Sequence, residues 1–419
     1  MPVPRTQTGS KPRHELQARL EDVELAIEDA MAERVSLTRW CLLFAQSLDR
    51  LEDRAARAHA ARLTCDVDPL FGVQGWAPRS RLSALEHYAQ EHGLVLEVAD
   101  PAPHESPPTL FHNPPSLAGG QDLVTFYMTP GYWTWDPSGV VLYSFALFFA
   151  MILADAGYAA VLAIVLWRYW KPMGESEGGA RFRTTFTTIV IFTAIYGVLA
   201  GSYFGIELPE GSTLLKLKVI DITDPSVMMA ASIVIGVVHV ALANLMDAFR
   251  RGATLAALPP LGWAVATVGG LVLGAGAMHE IDPAISVGTV MLVIGLLLVF
   301  LFSGEGGPLS RLVAGLLALT GVTNAFGDVM SYLRLFALGL ATASLAAAFN
   351  GMAADIREAV PGLGLLAAGL VLIVGHTMNF VLGLMSAVVH GLRLNVIEFF
   401  KWGLKEEGVL FRPFERKER

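Results

Sequence analysis

Charge is scarce in this chain. Only 16% of its 419 residues are Asp, Glu, Lys or Arg, and their balance is −8, which gives no basis for nucleic-acid binding. Cysteine is nearly absent, and Cys41 and Cys65 match no metal-ligand spacing and imply no disulfide. No GxxxxGK[ST] phosphate loop is present, and no nucleophile–base or metal motif stands out, so any coupling to ATP has to come from another chain. The opening residues, MPVPRTQTGSKPRHELQ, are polar and have no h-region. The expectation is that no signal peptide is cleaved and that the first spanning segment targets the chain.

What is abundant is apolar sequence, 53% of the residues, much of it in uninterrupted runs that belong to polytopic membrane proteins. The first run, from Gly139 to Trp170, is too long for one ordinary span and is interrupted at Asp155-Ala156-Gly157. It reads either as one tilted helix or as a hairpin of two short ones. Later runs lie near 184–205, 227–248, 259–278, 284–303, 324–352 and 362–400. The loop charges decide for the hairpin. It puts Arg168, Lys171, Arg181, Arg183, Arg250, Arg251, Arg311 and the basic tail after Lys401 on one side. Glu207, Glu210, Asp221, Asp224, Glu280, Asp282, Asp355 and Glu358 then fall on the other, diluted by Lys216, Lys218 and Arg357. The sequence thus predicts a mostly α, polytopic membrane helix bundle of eight helices with both termini cytoplasmic. At about 1.5 Å per residue the last run is almost twice the ~30 Å hydrocarbon core, so it tilts or projects into water. Residues 304–323, with Gly304, Gly306, Gly307 and Pro308 ahead of a moderately apolar helix, read as cytoplasmic-side or interfacial.

Ahead of the membrane part, residues 13–62 are charged and helix-favouring, and Leu16, Leu20, Val23, Ile27, Val35, Leu48 and Leu51 recur as a coiled-coil or paired-helix seam. Then LFGVQGWAP reads as a strand, 79–92 as a helix and LVLEVA as a second strand, a small β-α-β unit. The Pro-, Gly- and aromatic-rich stretch 101–138 reads as a linker, with Tyr132, Trp133 and Trp135 at the membrane interface. The expected domains are a coiled-coil-like arm over 1–65, a small cytoplasmic α/β lobe and linker over 66–138, a transmembrane domain over 139–403 and a cytoplasmic tail over 404–419.

The stretch Asn324–Asn350 crosses the bilayer yet carries Arg334 near its middle. A guanidinium at membrane depth costs several kcal/mol and persists only with a partner or a water cavity. Small residues sit close to it, Gly327, Ser331, Ala337, Ala341 and Ser344, which would let another helix approach. Arg334 is either a structural arginine, satisfied by a neighbouring helix or by snorkelling, or an ion-path residue facing a carboxylate on a partner. A second intramembrane arginine, Arg393, shares a helix face with Asn379 and Ser386, and His376, Gly383 and His390 form a parallel row. This stripe is either a polar helix–helix contact or the wall of a hydrated passage with titratable histidines. Asp155 reads as a turn residue, and Asp247, on a helix with His239 and Asn244, as lying near a cytoplasmic end. Glu305 and Asp328 read as near the cytoplasmic boundary, with Asp328 some 120° around the helix from Arg334 and so unpaired with it. Glu398, near the end of the last helix, reads as a solvated residue.

Four segments together carry a resemblance. SYLRLFALGLATA at 331–343, HGLRLNVIEFFKW at 390–402, FFAMILADAGYA at 148–159, and FGVQGWAP with PPTLFHNPP resemble the membrane stator subunit of V-type and archaeal-type rotary ATPases, called subunit a or subunit I. The likeness covers nearly the whole chain from about residue 65. It implies that two long tilted helices face a rotating ring of proteolipid helices and that Arg334 meets each passing carboxylate and favours its ionised form, blocking leakage between two offset half-channels. Arg393 would assist, with Ser331, Ser386, His390, Asn379 and His376 along the ion path. The other implied partners are peripheral-stalk subunits and the central-stalk cap. The ion is H⁺ or Na⁺, no cofactor is held, and ATP is bound by other subunits, in the plasma membrane of a bacterium or archaeon. Two departures stand out. Only one arm and one lobe precede the membrane part, where the family has two lobes and two arms. Gly383 and Thr320 stand where eukaryotic relatives carry carboxylates. Two further readings are a self-contained transporter, whose inverted repeats are not found here, and a structural stator remnant that does not conduct.

Overall fold

The computed structural model describes residues 10–67, 70–206, 209, 211–221, 224–304, 306–359, 362–404 and 406–415. Glu207, Glu210 and Glu305 lie outside them, as do the first nine residues. The chain divides into two compact units, Met1–Glu97 with Phe411–Arg419, and Val98–Leu410.

In the first unit, α1 (Ser10–Arg62) is one uninterrupted helix of 53 residues, about 80 Å long at 1.5 Å per residue. After Pro12 it contains no Pro or Gly to break it. The apolar seam is present but uncovered, since Leu16, Leu20, Val23, Ile27, Val35, Leu48 and Leu51 are all exposed. Beyond it β1 (Cys65–Val67) and β2 (Leu70–Gly72) pair antiparallel, Cys65 opposite Gly72 and Val67 opposite Leu70. A 3₁₀ turn, Arg79–Arg81, leads into α2 (Leu82–Glu91). The expected β-α-β unit is corrected to a hairpin followed by a helix. Residues 94–99 take no ladder, because β1 and β2 pair with each other and Val95, 100% exposed, meets no neighbour.

The second unit is the helix bundle. Short α3 (Ala118–Thr125) packs against the start of α4 (Ser138–Leu153), which ends at Ala154 in the left-handed region, φ 47°. Asp155 then caps α5 (Ala156–Met173), accepting from the Tyr158 amide at 2.9 Å, the Ser202 hydroxyl at 2.7 Å and the Gly205 amide at 3.2 Å. Asp155 is therefore the turn residue the sequence indicated, and the turn reverses the chain. The start of α4, the end of α5 and the start of α6 (Glu177–Ala200) lie at one end of the bundle. There Arg181 pairs with Asp122 at 3.0 Å and Arg183 donates to the Trp170 carbonyl at 3.1 Å.

Asp224 caps the next helix, α7 (Pro225–Arg251), accepting from the Ser226 amide and hydroxyl, and these hydrogen bonds hold its carboxyl below the usual carboxylate range. The other end of α7 returns to the first end of the bundle. There buried Asp247 pairs with Arg251 at 3.0 Å and Arg250 at 3.6 Å, and Arg250 donates to the Trp133 carbonyl. Next, α8 (Leu258–Met278) and α9 (Asp282–Phe302) form a tight pair. Gly262, Gly269 and Gly276 on one, and Gly288 and Gly295 on the other, sit where a β-carbon would strike the opposite backbone.

Beyond α9, α10 (Pro308–Leu319), α11 (Gly321–Met330) and α12 (Leu333–Ala359) run on as one kinked helical path, broken by turns at Thr320 and at Ser331-Tyr332. Finally α13 (Gly364–Arg393) packs along α12 and passes through a π-helical turn, Leu394–Phe399, into α14 (Phe400–Gly403). Trp135 donates to the Gly403 carbonyl at 3.0 Å, so the basic segments around Arg183, Arg250 and Lys401 share one end of the bundle. Six helical stretches among the described residues are long and apolar enough to cross a bilayer: 177–200, 225–251, 255–278, 282–302, 308–359 and 364–403; α4 is a shorter apolar helix. The protein is an integral membrane helix bundle.

Candidate functional site

Helix α12 has two unlike faces. Leu335, Gly339, Thr342, Ala346 and Ala353 are buried against the bundle, with Gly339 against the Met151 carbonyl of α4. On the opposite side Ala337, Ala341, Ser344, Ala348 and Gly351 are exposed, and this smooth strip continues from half-buried Arg334 at helical spacing. The exposed side of α13 is different in kind, made of Ile373, Val374, Met378, Val381, Leu382 and Met385.

Around Arg334 the structure gathers Arg393, His390, Ser331 and Glu398. Arg393 and Glu398 are the charged groups that act on Arg334, and both arginines act on His390. Arg393 Nε lies 3.9 Å from Glu398 Oε1, with the Arg393 side chain 52% exposed and that of Glu398 only 3%. The Ser331 hydroxyl is beside the same carboxylate and also donates to the Gly327 carbonyl at 3.1 Å. Several polar atoms of this group are buried with no hydrogen-bond partner among the described residues: Arg334 Nη1, His390 Nδ1 and Glu398 Oε2. Such atoms are rare in folded proteins and ask for an explanation.

The reading of Glu398 as a solvated residue is corrected here. Five residues along an α-helix is about 500°, which would carry Glu398 some 140° away from Arg393. The π-turn over 394–399 has more residues per turn and swings Glu398 back beneath Arg393 and into the bundle. Asn395 pins this turn, accepting from Ser144 of α4 and donating to the Gly391 carbonyl at 3.0 Å. Asp328 does not pair with Arg334, as the helical geometry required. It accepts from Lys401 at 2.9 Å and from the Trp402 indole at 2.8 Å.

Asn379 and His376 belong to a second cluster. His376 is 14 positions before His390 on α13, about 21 Å along the axis. Here the side chains are joined in one run of hydrogen bonds. Asn379 donates to the Tyr158 hydroxyl at 3.0 Å, Tyr158 to His376 Nδ1 at 2.8 Å, His376 Nε2 to Asn350 Oδ1 at 3.0 Å, and Asn350 to the Phe204 carbonyl at 2.8 Å. The direction of each bond follows from the last: Asn350 uses its amide on Phe204, so its oxygen must accept from His376. The neutral Nε2–H tautomer satisfies the whole chain. Ser386 lies half-buried on α13 between the two clusters. Sequence reasoning missed Glu398, Tyr158 and Asn350 as members of these groups. His239, named in the sequence only as a helix neighbour of Asp247, is buried, bonds the Tyr332 hydroxyl at 2.7 Å and stacks on Phe399 at 4.3 Å.

Comparison with known proteins agrees with the resemblance read from the four motifs. The chain is 28% identical to A-type ATP synthase subunit I of Methanocaldococcus jannaschii over 94% of its own length, and 29% identical to V-type ATP synthase subunit I 1 of Treponema pallidum over 86%. It is also 28% identical to V-type ATP synthase subunit I of Chlamydia trachomatis over 91%. Over most of its length the chain is similar to proteins named subunit I of A-type and V-type ATP synthases. It spans 63%, 62% and 69% of the length of these three relatives. No protein-family model matches it.

Proposed function

We propose that this protein is the membrane-embedded stator subunit of a V/A-type rotary ATPase, and that the small-residue face of α12 is the track along which a ring of proteolipid helices turns. The observation that carries the proposal is the alignment of Arg334 with Ala337, Ala341, Ser344 and Ala348 on the exposed side of α12, with one guanidinium nitrogen buried and without a partner among the described residues. A helix can lie close against that strip and bring a carboxylate to the guanidinium. The planar fork suits this work, since it stays charged when partly buried and donates paired hydrogen bonds to a carboxylate.

In this reading each ring carboxylate arrives at Arg334, gives up its ion into one half-channel, and reloads from the other after the ring has moved on. Arg393, His390, Ser331 and Ser386 serve the path beside Arg334, while Asn379 and His376, toward the other end of the same helices, hold α12 and α13 in register. The bundle counts eight membrane helices, with the α4–α5 hairpin as the first two, and both termini lie in the cytoplasm, where the basic ends of α5, α7 and α14 would lie under the positive-inside rule. Peripheral-stalk and central-stalk-cap subunits complete the assembly in a bacterial or archaeal plasma membrane. ATP is bound by other chains, this subunit holds no catalytic site or cofactor, and the ion carried is H⁺ or Na⁺.

The test is Arg334→Ala in the assembled complex, reconstituted into vesicles. ATP-driven ion uptake should fall at least a hundredfold while the complex still assembles. Uptake at the wild-type rate would leave only a structural role for this chain.

A further inference from the structure

Two guanidinium groups sharing one site are expensive unless something offsets them. Arg334 and Arg393 both act on His390, and the carboxylate that acts on both arginines is Glu398. Glu398 is 2% exposed, its Oε1 is 3.9 Å from Arg393 Nε, and its Oε2 has no hydrogen-bond partner among the described residues. The other nearby acid, Asp328 on α11, is occupied by Lys401 and Trp402. A buried carboxylate held this way is costly to maintain, and the chain maintains it with a local device: the π-turn that rotates Glu398 inward, fixed by Asn395 against Ser144.

We infer that Glu398 is a positioning residue that sets the net charge of the arginine site to +1. Two arginines and one resident carboxylate leave a single uncompensated positive charge, enough to attract one ring carboxylate and be neutralised by it. Without Glu398 the site carries +2 and still holds +1 after the carboxylate has docked. Opposite charges attract strongly where the effective dielectric is low, so release becomes the slow step. With Arg393 removed and Glu398 kept, the site is neutral and attracts the ring carboxylate poorly. The inference deepens the proposed stator role and rests on it. Its distinctive claim is that the sum of charges matters more than the Glu398–Arg393 contact.

The test is a double-substitution cycle in the assembled complex, measured as ATP-driven ion uptake alongside ATP hydrolysis. Glu398→Gln should lower both at least tenfold, because a ring that cannot leave the arginines also stops turnover of ATP. Arg393→Gln should lower uptake too. The combined variant R393Q/E398Q, which restores +1, should exceed R393Q alone by at least threefold. A role confined to packing or to the ion pair predicts the opposite, since the second substitution then adds damage or changes nothing. Uptake by E398Q at the wild-type rate overturns the inference, and so does a double variant no better than R393Q. Should E398Q fail to assemble, the comparison of R393Q with R393Q/E398Q still decides. Arg334→Ala, run in parallel, separates the two ideas. If it alone abolishes uptake, a failed cycle rejects the charge balance and leaves the stator reading standing.

Discussion

The α12–α13 pair carries a polar cluster toward each end, and the two are built to opposite rules. Around Tyr158, His376, Asn350 and Asn379 a directed chain of hydrogen bonds runs from side chain to side chain and ends on backbone carbonyls. Around Arg334, His390 and Glu398, buried polar atoms are left without mates among the described residues. A satisfied buried network rigidifies what it joins, here α5, α12, α13 and the segment after α6. An unsatisfied one is a standing cost, tolerated where a partner supplies the missing groups. Under the proposed stator role, the contrast separates a clamp that holds the two helices in register from a surface that receives another chain.

The comparison can be broken most severely at the exposed strip of α12. Ala341→Leu adds three carbon atoms to the face beside Arg334 without touching the buried side. If a helix from another chain packs there, the added bulk keeps it away, and ion uptake by the assembled complex should fall at least tenfold, with loss of bound proteolipid after purification. Wild-type uptake would mean that the strip faces only lipid.

How much of this was legible in the sequence differs between the same two regions. Arg334 and Arg393 declared themselves, since an arginine inside an apolar run needs a reason wherever the chain folds. The Asp155 turn was readable for the same kind of reason, a polar interruption in a run too long for one span. Glu398 was not, because a single π-turn shifts the helical phase and the usual 100° spacing then assigns the wrong face. Nor was the hydrogen-bonded network, whose partners Tyr158, Asn350 and His376 are brought together only by packing. The segment 94–99 has a strand-like pattern and pairs with no strand among the described residues, so its local signal had nothing to act on.

The hydrogen-bonded cluster should answer to stability before transport. His376→Ala removes two hydrogen bonds at once and leaves the Tyr158 hydroxyl and Asn350 Oδ1 without their partner. The cost is about 1–3 kcal/mol. Thermal unfolding of the purified complex should shift down by a few degrees, while uptake at a permissive temperature stays within threefold of wild type. Tyr158→Phe should behave alike, because the hydroxyl both accepts from Asn379 and donates to His376. A large loss of uptake with unchanged stability would instead make this end part of the proton or sodium path itself.

The smallest effect belongs to the exposed side of α13. Met385 is one of a row of large apolar residues there, with Met378, Val381 and Leu382, and this row has none of the small residues that let helices approach closely. In a bilayer such a surface is as content against lipid chains as against protein, so truncating one member removes little. Met385→Ala should change stability by no more than about 0.5 kcal/mol, the usual range for a surface position, and leave ion uptake unaltered. The value of so quiet a substitution is that it fixes the direction of approach. If Met385→Ala costs tenfold in uptake and Ala341→Leu costs nothing, the partner docks on the broad apolar row of α13 rather than on the narrow smooth strip of α12. Arg334 would then have to reach it across the groove between the two helices.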